Sequence, residues 1–181
     1  VDNSYFSSVE LAGGRLWANR LDDTRLELLE GIQDFSITKS GTKIHIVARD
    51  DQGIMWHLHG ESGFSSEKIE GEYDYCRGCN LVTDHEGQVH LIYLTDPIQG
   101  QGAALRHQTF SGKWTKSMLI SSHVMPDKWG FSACWESPGF LHLVYLGHGD
   151  GHLFYRAYAA AQKSWSGAVP LVREPCQRPQ F

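Results

Sequence analysis

Apolar and polar residues alternate along most of this chain in short runs, and Gly, Asp and Ser cut the runs apart. The stretch from residue 79 to 121 shows the pattern. Asn80–Thr83 ends in a turn at His85-Glu86-Gly87, and Gln88–Leu94 follows. A glycine-rich loop over Gly100–Gly102 leads to Ala104–Thr109, and Ser111-Gly112 then turns the chain into Trp114–Ile120. Each run is rich in β-branched and aromatic residues and carries the two-residue period of a strand. No window of about eleven residues carries a 3.6-residue apolar period. Ala159–Ala161 has local helical propensity, but it stands where the other segments place a turn, so it reads as a loop.

The four-strand pattern recurs over residues 34–71, 79–121 and 131–172. His45, His90 and His142 fall in one column, 45 and 52 residues apart, and Phe64, Trp114 and Trp165 fall in another, 50 and 51 apart. Residues 4–31 match the last three strands of a repeat, and residues 173–181 resemble the approach to one more first strand. The chain therefore reads as all-β, with tandem four-stranded antiparallel blades and about four blade units in a single domain over residues 4–181. Such arrays are β-propellers or pieces of them, because stacked sheets bury both of their faces.

Composition narrows the function classes. Nineteen Gly against six Pro, with 12% aromatics, suits short strands and tight turns. The net charge of −5 and the lack of a basic run exclude a nucleic-acid backbone as the expected partner. No stretch nears the ~18 apolar residues of a membrane span. The first residue is Val1 rather than Met, which reads as a processed, excised or trimmed product.

The repeat has a first strand, a D-x-x-G-like turn and a second strand reading H-L-I-Y or H-L-V-Y. A third strand with L-x-Y or L-x-H and a Trp-bearing fourth complete it. Over Ser4–Val172 this order resembles the sialidase-like, BNR-type β-propeller repeat superfamily. The resemblance implies the fold and an extracellular or cell-surface setting. It does not choose among glycosidases, polysaccharide lyases, lectins and scaffolds. The sialidase S-x-D-x-G-x-T-W box is absent, and Arg49, Arg106 and Arg156 lie on second and third strands rather than at matched first-strand positions. Sialidase catalysis is therefore not expected.

The repeated histidines read as structural, since a catalytic residue seldom needs an equivalent in every blade. Tyr155, Trp56, Arg106 and Trp17 align as one third-strand position. Loop ends concentrate function in this architecture. The longest loops are Thr95–Ala103, His123–Gly130 and Gly147–His152, and the ligand-site candidates are Asp84, Asp96, Trp135, Glu136, His148 and Asp150. His148, Asp150 and His152 either close a polar hairpin or offer imidazole and carboxylate ligands. Cys76 and Cys79, just before a first strand, read as free or locally disulfide-bonded thiols, with half of a zinc site or a redox pair as the alternatives. No cofactor is required, and zinc is the one the cysteines would suit. A non-catalytic binding or scaffold module with a glycan or protein ligand at the loop ends is the favoured reading. The alternatives are a carbohydrate-active enzyme of sialidase-like or lyase type, and an assembly subunit that completes a larger propeller through open strand edges.

Overall fold

The computed structural model describes residues 5–71, 75–97, 102–136, 139–176 and 179. Its strands form four antiparallel sheets in chain order. The first holds β1 (Phe6–Ala12), β2 (Arg15–Arg20) and β3 (Arg25–Glu30). The second holds β4 (Ile32–Ser40), β5 (Lys43–Asp50), β6 (Met55–Gly60) and β7 (Phe64–Lys68). The third holds β8 (Cys76–Thr83), β9 (Val89–Pro97), β10 (Ala103–Phe110) and β11 (Met118–Val124). The fourth holds β12 (Phe131–Glu136), β13 (Phe140–Leu146), β14 (Leu153–Ala159), β15 (Ser164–Trp165) and β16 (Val169–Val172), the last two both pairing β14. Ala160–Gln162 is a single 3-10 turn, where a loop is expected.

Each sheet is a meander, and the sheets pack face to face through three apolar clusters. One joins Leu16 of the first sheet to Ile46, Ala48 and Leu58 of the second. Another joins Val47 and Met55 of the second to Leu81, Val89, Leu91 and Tyr93 of the third. The last joins Ile92, Leu94 and Leu105 of the third to Leu141, Leu143 and Tyr145 of the fourth. Two-residue alternation explains the division, because successive residues of β5 and β9 serve neighbours on opposite sides.

Three expectations are corrected by register. Cys76–Cys79 lies inside β8, the first strand of its sheet, rather than before it. The fourth strand of that sheet starts at Met118, and Trp114 makes only an isolated bridge to Phe110. The third-strand alignment is off by one: Ala48, Tyr93 and Tyr145 face Trp56, Arg106 and Phe154. Tyr155 therefore belongs with His57 and His107, not with Trp56 and Arg106. Of the further first strand expected over 173–181, residues 177, 178, 180 and 181 lie outside the described residues. Cys176 donates its amide to the Gly151 carbonyl at 3.0 Å, which keeps that segment on the fourth sheet.

Candidate functional site at the loop ends

The sheets present two rims. One is formed where β5, β9, β11 and β13 end and β6, β8, β10, β12 and β14 begin. On it Arg49, Tyr75, Arg77, Pro126, Asp127 and Lys128 line a cleft of about 420 Å³. Arg49 comes from the end of β5, Tyr75 and Arg77 from the entry to β8, and the others from the loop after β11.

Two glycines let these segments meet. Gly53 holds φ +73°, and a side chain there would collide with the Tyr75 ring. Gly78 sits beside the β8 bulge, and a Cβ there would lie 3.0 Å from Lys128 Cβ. The loop carrying Lys128 thus rests directly on the β8 backbone.

The cleft mixes charge: Arg49, Arg77 and Lys128 share its wall with Asp127, and Asp34 stands opposite Arg49 in the β4–β5 register. Arg49 is only 7% exposed; one Nη1 donates to the Tyr75 hydroxyl at 3.3 Å, while its buried Nε has no partner. A buried guanidinium with an unmet N–H is costly unless a further acceptor arrives. Arg77 Nε donates to Asp96 Oδ1 at 2.6 Å, and the Lys128 ammonium stands 4.6 Å from the centroid of the Trp129 ring. Trp129, next in the same loop, is 51% exposed.

None of the sequence candidates lines this cleft; Asp96 touches it only through Arg77, whose Nε–H it accepts. His148 and Asp150 share its rim but not its lining. Asp150 Oδ2 binds His152 Nδ1 at 3.1 Å, and its Oδ1 accepts the His152 amide at 3.0 Å, an arrangement that closes the hairpin. Asp84, Trp135 and Glu136 sit on the opposite rim. The Asp84 carboxylate accepts the amides of Glu86 at 2.9 Å and Gln88 at 2.8 Å, and it holds His90 Nε2 at 3.4 Å. Trp135 packs against His85 and His90, with ring centroids 5.9 and 5.4 Å away. Glu136 Oε2 meets His142 Nε2 at 3.0 Å. Arg49, Tyr75, Arg77 and Lys128 escaped sequence reasoning because they come from three segments with no common spacing.

The histidine column acquires partners. Nδ1 of His45, His90 and His142 meets His57 Nε2, His107 Nε2 and Tyr155 Oη at 3.1, 3.0 and 2.6 Å. The next sheet covers the first two pairs: Phe110 and Trp114 lie 4.5 and 4.9 Å from His57, and Tyr158 and Trp165 lie 4.7 and 5.5 Å from His107. Burial pushes His45 and His57 down to about 4 and His107 to about 3, and it also lowers His90. These rings are neutral wedges between blades.

The cysteines are free thiols. Cys76 Sγ lies 3.4 Å from the Gly78 carbonyl, and Cys79 Sγ lies 3.8 Å from that of Val47. Burial raises Cys76 to about 12 and Cys79 well above its ordinary value, so neither offers a ready thiolate. Among the described residues, no third His, Cys, Asp or Glu joins them in a metal-ligating cluster.

The fold and its rims define a propeller-type array of blades. No protein-family model and no curated protein matches the sequence. The structure is similar to AofleA from Arthrobotrys oligospora, with TM-score 0.62, 11% identity, and 95% of this chain over 55% of that one. It is similar to the Aleuria aurantia lectin AAL in complex with Fucα1-6GlcNAc, with TM-score 0.52, 15% identity, and 86% of this chain over 59% of that one. It is also similar to a neuraminidase-like protein of A/flat-faced bat/Peru, with TM-score 0.61, 10% identity, and 89% of this chain over 46% of that one. At such identities the likeness is one of fold, and this chain spans about half the length of each.

Proposed function

We propose that this chain is a non-catalytic, propeller-type carbohydrate-binding module that holds an acidic saccharide in the cleft of Arg49, Tyr75, Arg77 and Lys128. The observation that carries the reading is the convergence of Arg49, Arg77 and Lys128 from three separate segments on one cleft. A sugar carboxylate supplies a planar pair of acceptors for a guanidinium. Arg77 and Lys128 add charge at the mouth, while Tyr75 offers a flat apolar face to the ring. Two structural neighbours support the carbohydrate class by their names, a lectin and a neuraminidase-like protein.

An enzyme reading would rest on the hydrogen-bonded chain Glu136–His142–Tyr155. The previous blade has the same chain, as Asp84–His90–His107, buried under the next sheet, so the arrangement belongs to blade packing. Desolvation, with Glu136 and Cys134 nearby, also raises the Tyr155 phenol and opposes its ionisation.

Titration calorimetry with uronate-containing, sialylated and neutral oligosaccharides tests the proposal. Acidic oligosaccharides should bind about 10–100-fold more tightly than neutral ones, the worth of a hydrogen bond to a charged group. R77A and K128A should remove that preference without lowering the thermal midpoint. Equal affinity for neutral sugars, an acidic preference that survives both substitutions, or release of new sugar ends would overturn it.

A further inference from the structure

We propose that His57, His59 and Glu67 bind a divalent transition-metal ion of the zinc type, with His45 as the group that orients His57. This site lies on the second sheet, apart from the saccharide cleft, and does not depend on that reading. β6 places His57 and His59 two residues apart, on one face of the sheet. β7 runs beside it, with Glu67 directly opposite His57 in the register.

Their candidate ligand atoms all lie within 4.8 Å of one another, and His57 Nδ1 stands 3.0 Å from Glu67 Oε1. Tetrahedral bonds of about 2.0–2.1 Å separate ligand atoms by about 3.3 Å, so small side-chain rotations close the set. Two imidazoles and one carboxylate suit a borderline cation better than calcium or magnesium, which take oxygen.

The surroundings fit a metal. His57 Nε2 meets His45 Nδ1 at 3.1 Å, as a ligating imidazole needs a partner for its second nitrogen. Phe110 and Trp114 wall the His57 ring with apolar edges. Glu67 opens onto a cleft of about 510 Å³, and His45 and His59 onto another of about 360 Å³. A metal held by three side chains thus keeps a position for water.

Comparison among blades separates this set from packing. The pairing of His45 with His57 recurs as His90 with His107 and as His142 with Tyr155. The other two donors do not recur. At the positions of His59 and Glu67 the third sheet has Thr109 and Met118, and the fourth has Ala157 and Val169. The repeated element serves the fold, and the donors added in one blade are what ligation requires.

The test uses chelator-stripped protein, titrated with Zn²⁺ and, for spectroscopy, with Co²⁺. One equivalent per chain should bind, and the cobalt form should show visible d–d bands without a thiolate charge-transfer band. H59A and E67Q should abolish stoichiometric binding while the metal-free thermal midpoint stays put, since both side chains are partly exposed. H45N should weaken it about 10–100-fold. No binding, binding that survives H59A and E67Q, or a thiolate band lost in C76S or C79S would overturn the proposal.

Discussion

At the scale of the residue, the buried histidines govern stability. His90 is fully buried between Asp84 and His107, and removing its ring orphans partners on both sides. H90A should destabilise the fold by about 1–3 kcal/mol, measured by denaturant unfolding. An unchanged midpoint would show that the ring carries no load. The same pair sets a pH dependence. Burial depresses His107 to about 3 and also lowers His90, the latter against the opposing pull of the Asp84 carboxylate. Both folded values lie below the ordinary 6.5, so at mildly acidic pH the unfolded chain binds protons that the folded chain refuses. Their contribution is fully present above about 6.5 and is lost as pH falls towards the folded values. Thermal midpoints should drop between pH 7 and pH 5, and H107F should flatten that slope. A wild-type midpoint that is level over the range would refute the linkage.

At the scale of the element, alternation was the legible signal. The runs of Lys43–Asp50 and Val89–Pro97 read as strands because their faces serve two neighbours at once. The Trp114 to Ser117 stretch was less legible: Trp114 looks like strand composition, yet the Gln108 side chain holds the Thr115 carbonyl at 2.8 Å, and pairing resumes only at Met118. Tertiary hydrogen bonding decided there over propensity. The third-strand misalignment has a different cause, since loops of unequal length hide register and a one-residue slip exchanges faces. That slip concealed Tyr155 as the counterpart of His57. The lining of the cleft was not legible in the sequence, because its shape depends on Gly53 and Gly78 admitting Tyr75 and Lys128. The H-x-H of His57 and His59 is plain in the sequence, but its third donor, Glu67, comes into place only through the β6–β7 register.

At the scale of the molecule, the first and last sheets differ from the two between them. The second and third sheets have both faces covered, whereas the first sheet turns one face outward and carries charge there. Arg15 pairs with Glu27 at 3.3 Å, Arg25 pairs with Glu10, and the Arg25 guanidinium lies 4.8 Å from the centroid of the Trp17 ring. The last sheet turns outward the face with Glu136, His142 and Tyr155, the one that in the preceding sheets receives a neighbour. Among the described residues β1 pairs only with β2, so its other edge offers unpaired backbone groups. Sheet edges of this kind recruit strands, and faces built to be covered recruit sheets. The chain should therefore self-associate as concentration rises, with the outward face of the last sheet against the charged face of the first in a second copy. Light scattering over a range of concentrations should show mass above the monomer. Amides of β1 should gain protection from hydrogen exchange as the protein is concentrated. A constant monomer mass, with β1 exchanging at the same rate throughout, would show that these edges are silent.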